Sequence, residues 1–142
     1  MLIPDVNILV YAVRRDAAAH ERYLDWLEDA ISGVEPVGLV APVVVGLLRV
    51  VTNPRIFVSP SLSAQTLEFV EALLEAPACL VPHPSNRSMT TFLDLCRRTG
   101  AKGDLVPDAW LAATAIDLDA TLVTADRGFA RFPGLRWRHP LD

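Results

Sequence analysis

The chain has 142 residues, 51% of them hydrophobic, and a formal net charge of −4. That length reads as one domain over residues 1–142, enough to bury a single core. The charge argues against a surface that coats nucleic acid indiscriminately, though not against a local basic groove. The longest uncharged run, Pro36 to Leu48, is broken by Pro36, Gly38, Pro42 and Gly46 and is too short to span a bilayer. Cys79 and Cys96 lie in apolar surroundings without metal-ligand spacing and read as buried thiols rather than a disulfide framework. No basic, apolar leader opens the sequence, and a cytoplasmic protein is expected.

Leu2 to Asn7 reads as a short strand and a turn, so Asp5 stands at a strand end. Ile8 to Val13 is apolar enough for a short helix. Tyr23, Leu24, Leu27, Ala30 and Ile31 then recur at helical spacing among charged residues, with a stop near Gly33. His20, at the start of that helix, reads as a hydrogen-bonded structural group. Val37 to Val40 is the second strand. Pro42 opens a helix that would bury Val43, Leu47, Val50 and Val51 and that ends at Thr52-Asn53-Pro54. Ser61 or Ser63 would cap the next helix, with Leu67, Val70, Leu73 and Leu74 on one side and Glu68, Glu71 and Glu75 on the other, closed by Pro77. Leu80-Val81 is a third strand, Ser85 to Arg98 a helix ending at Gly100, and Leu135 to Trp137 an edge strand.

Between them lies the stretch around which the rest is organised, Gly103 to Phe129. Pro107-Asp108 suits a helix's first turn, where the missing N–H is not needed and a carboxylate complements the dipole. Leu122-Val123 then forms a strand that runs out into Thr124-Ala125-Asp126. Strands alternating with helices predict a mostly parallel sheet with helices on both faces. Helix starts and strand ends share one edge of such a sheet, where ligands bind.

Asp5, Asp108 and Asp126 all fall on that edge, with Asp104 one turn before Asp108. Clustered carboxylates repel and call for a cation, and hard oxygen donors without Cys or His point to Mg²⁺ or Mn²⁺. Each aspartate alone is equally well read as a cap of its own helix or turn. The chain carries no Gly-x-Ser-x-Gly for serine hydrolysis. A phosphoaspartate switch is disfavoured by a single lysine, Lys102, and by the absence of a second acid in Asp5-Val6-Asn7.

Three segments, Asp5-Val6-Asn7-Ile8-Leu9-Val10-Tyr11-Ala12, Leu105 to Ala113 around Pro107-Asp108, and Leu122 to Phe129 around Thr124-Ala125-Asp126, resemble the signatures of PIN domains. More narrowly, they resemble VapC toxins of bacterial toxin–antitoxin pairs. Arg49 to Phe57, reading Arg-Val-Val-Thr-Asn-Pro-Arg-Ile-Phe, is similar to a segment of an actinobacterial branch. The resemblance covers nearly the whole chain. It implies a three-layer α/β/α fold and a Mg²⁺-dependent endoribonuclease that cleaves RNA with a metal-activated water, inhibited by a VapB-type antitoxin and often homodimeric.

Carried over by position, Asp5, Asp108 and Asp126 match family acids, Asn7 the polar residue that supports the first, and Thr124 the hydroxyl before the last. Gly46 departs from the pattern, standing where the family usually has a glutamate. Asp104 either supplies that missing carboxylate to the catalytic set or only caps its helix. Arg14, Arg15, Arg49 and Arg127 are candidates to hold RNA phosphates. The alternative is a degenerate, non-catalytic PIN domain that binds RNA or a protein partner.

Overall fold

A computed structural model describes residues 1–142. Five short strands, β1 (Leu2–Pro4), β2 (Val37–Gly38), β3 (Cys79–Leu80), β4 (Thr121–Val123) and β5 (Arg136–Arg138), form one sheet in the order β3-β2-β1-β4-β5, and every pairing is parallel. Parallel strands covered on both faces need apolar residues in succession rather than alternation. Leu2, Ile3, Leu122 and Val123 in the two central strands are accordingly all buried.

The helices are α1 (Val6–Val13), α2 (His20–Ser32), α3 (Ala41–Val51), α4 (Ser63–Glu75), α5 (Arg87–Thr99) and α6 (Leu105–Asp117), followed by a single 3₁₀ turn at Arg127–Arg131. They fall into two packed groups. In one, α1 packs on α2 and α3, and α3 on α4; in the other, α5 and α6 pair extensively and α6 lies on β4. Together with the sheet these groups make the expected α/β/α arrangement.

The strand order places the site. From β1 the chain builds outward through β2 to β3, then crosses back to lay β4 on the other side of β1. The connections leaving β1 and β4 therefore diverge, and a crevice opens at the carboxyl ends of those two strands. Asp5 follows β1 directly, and Thr124 to Asp126 follow β4.

Several boundaries and faces differ from the sequence expectation. The first helix begins at Val6 rather than Ile8, because the Asp5 carboxylate accepts from the Val6 N–H at 2.6 Å and caps it. The sixth begins at Leu105, which puts Pro107 at its third position, still within the turn whose amides have no intrahelical acceptor. Neither Ser61 nor Ser63 caps α4. That helix buries Thr66, Val70 and Leu73, whereas Leu67 and Leu74 are exposed. Thr66 can turn inward because its hydroxyl donates to the Leu62 carbonyl at 3.1 Å. The fifth helix starts at Arg87, and Ser85 before it is held by Asp117, which accepts from the Ser85 amide and hydroxyl and from Ser88. Cys79 and Cys96 are free thiols, half-buried rather than fully enclosed. No helix is long and apolar enough to cross a membrane.

Candidate functional site

Thr124 is fully buried at the point where β4 ends, and its hydroxyl joins the two strand ends. It donates to Asp5 Oδ2 at 2.7 Å and accepts from the Asp126 N–H at 3.0 Å and from Asn7 Nδ2 at 3.1 Å. One donor and two acceptor positions are all that a hydroxyl has, so Thr124 is saturated. The Asn7 amide completes the net: Nδ2 also donates to Asp5 Oδ2 at 2.6 Å, and Oδ1 accepts from the Ala125 N–H at 3.2 Å. The Asp5 carboxylate is thus fixed by three donors and buried to 8% exposure.

Asp126 caps the 3₁₀ turn, its Oδ1 accepting from the Gly128 N–H at 2.7 Å. Asp108 projects from the first turn of α6 with no hydrogen-bond partner on its carboxylate. Asp5, Asn7, Tyr11, Val50, Asp108 and Asp126 line one open cavity of about 310 Å³. The structure thus brings together the three principal acids, and Asn7 and Thr124 behind them.

Burial, with like-charge crowding added to it, holds the Asp108 and Asp5 carboxyls above their ordinary range. Asp108 rises from its ordinary 3.8 to about 6, first because burial disfavours its charged form, then because Asp5, Asp126 and, least, Asp104 repel it. Arg131 partly offsets this. Burial also raises Asp5, opposed by the bonds from Thr124, Val6 and Asn7 and reinforced by the Asp126 charge.

No three acidic, His or Cys side chains converge tightly enough to make a ready ligand cage. Two of the three acids are turned onto local donors, Asp5 onto Val6, Asn7 and Thr124, and Asp126 onto Gly128. The donor set nevertheless suits a hard divalent cation: all oxygen, concentrated negative charge, and the Asp108 carboxylate free to turn. Asp104 is exposed, lies outside the cavity lining, and makes no side-chain bond to its helix.

The remaining candidates separate by what they already hold. Arg14 is 7% exposed and committed: Nε and Nη2 donate to Asp16, Nη1 to the Ser59 carbonyl and Ser61 Oγ, and the guanidinium stacks 3.8 Å from the Phe57 ring centroid. It ties the α3–α4 connection to the end of α1, with four of its five N–H groups already engaged. A larger cavity, about 640 Å³, opens around it, but its buried charge is spent, so the acid-lined cavity is the stronger candidate. Arg127 pairs with Asp142 at 2.8 Å. Arg15 and Arg49 are exposed, Arg49 in the last turn of α3 beside the cavity-lining Val50. His20 is structural, as expected, its Nδ1 lying 3.0 Å from the Tyr11 carbonyl.

Gly46 faces the site through Val6. A Cβ built there would stand 2.7 Å from Val6 Cγ2, so the β-branched Val6 fills the space a side chain at 46 would need. Arg131 is the residue that sequence reasoning passed over. The 3₁₀ turn sets it three residues beyond Gly128 and therefore on the same side, where its Nε donates to the Gly128 carbonyl at 2.8 Å.

Comparison with known proteins agrees with this architecture. The PIN domain family model matches residues 2–135. The chain is 46% identical over 142 residues to Ribonuclease VapC43 of Mycobacterium tuberculosis, covering 100% of this chain and 97% of that one. It is 34% identical over 141 residues to Ribonuclease VapC33 of the same organism, covering 99% of each. Its fold matches a chain in the crystal structure of VapBC2 from Rickettsia felis bound to a promoter DNA fragment, with a TM-score of 0.71, 21% identity and 97% coverage of both chains. With the family model matching residues 2–135 and the identity running over the full length, the chain belongs to the PIN domain family, in its VapC branch.

Proposed function

We propose that this protein is a divalent-metal-dependent endoribonuclease, the toxin of a VapBC-type pair. The observation that carries the reading is the meeting of Asp5, Asp108 and Asp126 in one cavity at the crevice between β1 and β4, in a chain 46% identical to a protein named a ribonuclease. Asp5, Asp108 and Asp126 would hold the ion, Mg²⁺ or Mn²⁺. When bound, the ion supplies a water of lowered pKa and offsets the charge that grows on the phosphodiester.

The chain's own residues do the remainder. Thr124 and Asn7 fix the Asp5 carboxylate. Asp108 adjusts its position, having no competing bond, and Asp126 is oriented by the Gly128 amide. Asp104 contributes charge from the rim, and Arg49, exposed in the last turn of α3 beside the cavity-lining Val50, would meet a phosphate of the strand.

An antitoxin partner is supported by the complexes named for the structural neighbours, such as VapBC2. The α3–α4 region exposes Val45, Ile56, Val58, Leu62 and Leu67, apolar side chains that a protein partner would cover. The direct test is to incubate the purified chain with total RNA and Mg²⁺, with and without a chelator. Cleavage that the chelator abolishes supports the reading. RNA left intact with Mg²⁺ and with Mn²⁺ supports instead a non-catalytic PIN domain, the alternative favoured by the glycine at position 46.

A further inference from the structure

The cavity is acidic and an RNA strand is a polyanion, so a strand cannot approach it on the strength of the carboxylates and one ion alone. Some cation of the chain has to face the same opening. Four of the twelve arginines are already paired: Arg14 with Asp16, Arg98 with Asp94, Arg127 with Asp142 and Arg136 with Asp119. Arg131 has no carboxylate within salt-bridge distance, yet it is near enough to Asp108 for its charge to be felt there.

Its placement is built. Nε is fixed on the Gly128 carbonyl at 2.8 Å, which aims the guanidinium while leaving the terminal nitrogens without acceptors. Gly128 makes room for this. A Cβ there would lie 2.8 Å from Asp126 Oδ1 and 3.3 Å from Arg131 Nη2, so the carboxylate and the guanidinium flank one point above the glycine. A cation held beside a site acid without being neutralised by it suits an anion that the acid also serves through a metal. The planar fork fits two phosphate oxygens at once.

We propose that Arg131 binds a phosphate of the RNA strand beside the acid cluster, its guanidinium oriented by the Gly128 carbonyl. This rests on the nuclease reading above, and it assigns Arg131 to substrate binding rather than to the bond-breaking step.

The test measures binding apart from cleavage. A fluorescein-labelled, randomised single-stranded RNA is titrated against Asp108→Asn protein, with and without Arg131→Gln, across a salt series. The added substitution is expected to weaken binding roughly three- to tenfold and to reduce the salt slope by about 0.7, the value of one phosphate contact to a single strand. Arg131→Lys should recover part of the affinity, because it restores charge without the fork. Arg127→Gln, which removes a guanidinium already held by Asp142, should change binding less than Arg131→Gln does. In the otherwise wild-type chain, Arg131→Gln should raise KM more than it lowers kcat. Unchanged affinity and salt slope on Arg131→Gln overturn the proposal, as does RNA that fails to bind the Asp108→Asn protein even at low salt. Wild-type protein that binds RNA in an Arg131-dependent way but never cuts it overturns the nuclease reading and leaves the phosphate contact standing.

Discussion

The Thr124 hydroxyl donates to Asp5 Oδ2 at 2.7 Å across 119 residues of sequence, and the Asp126 amide donates back to that hydroxyl at 3.0 Å. One buried side chain thereby sets the spacing of the two strand ends that carry site acids. Thr124→Val keeps the shape but leaves the Asp126 N–H without its acceptor and Asp5 without a donor. It should cost about 1–3 kcal/mol of stability and lower RNA cleavage, while Thr124→Ser keeps most of both. Urea denaturation and a cleavage assay on the two variants check this. A valine variant matching the serine variant in both would refute the role given to the hydroxyl.

Asp108 makes the metal-free protein's stability fall with pH. A carboxyl raised from 3.8 to about 6 on folding contributes stability that is fully present below 3.8 and lost as pH rises through about 6. Asp108→Asn removes that dependence. Near neutral pH, without metal, the asparagine variant should be more stable than wild type by on the order of 1 kcal/mol after solvent screening, and the gap should close near pH 4. Mg²⁺ should raise the wild-type melting temperature most above about pH 6, where Asp108 is ionised. A gap that is the same at both pH values would contradict the assignment.

Val6 and Gly46 are a packed pair. Val6 sits in the first turn of α1, where a β-branched side chain has essentially one rotamer and cannot swing aside. Gly46→Glu should therefore destabilise the fold despite replacing a mid-helix glycine. Adding Val6→Ala should recover part of the loss, a coupling read by a double-mutant cycle. Additive effects would show that Val6 does not fill the space at 46.

Thr114 Oγ1 is a buried side-chain oxygen in α6 without any hydrogen-bond partner. Thr114→Val replaces it at nearly equal volume and should stabilise the protein by about 1 kcal/mol, measured by thermal or urea denaturation. A valine variant of lower stability would mean the hydroxyl has a partner.

Much of this was legible before the fold. Helical spacing located α2 and α3, and the flanking polar residues put Asp5, Asp108 and Asp126 at element ends, which parallel topology then gathers on one edge. The face of α4 was misread because Leu67 and Leu74 look as apolar as Val70 and Leu73. Only the hydrogen bond that satisfies Thr66 explains why a threonine is buried in their place. Arg14 was misread because its partners at Ser59 and Ser61 are 45 and 47 residues away and confer no local pattern. Arg131 was overlooked because its relation to Gly128 exists only once the segment winds into a 3₁₀ turn.

The central claim is that Asp5, Asp108 and Asp126 act together on one divalent ion to cut RNA, and Asp108 is its most exposed point because no other bond competes for that carboxylate. The most direct measurement pairs Mg²⁺-binding calorimetry with RNA cleavage for wild type, Asp108→Asn and Asp104→Asn. The account predicts that Asp108→Asn loses both the binding heat and the cleavage while remaining folded, and that Asp104→Asn, which alters only rim charge, shifts the Mg²⁺ dependence modestly. Asp108→Asn protein that binds Mg²⁺ and cleaves RNA as wild type does would contradict it.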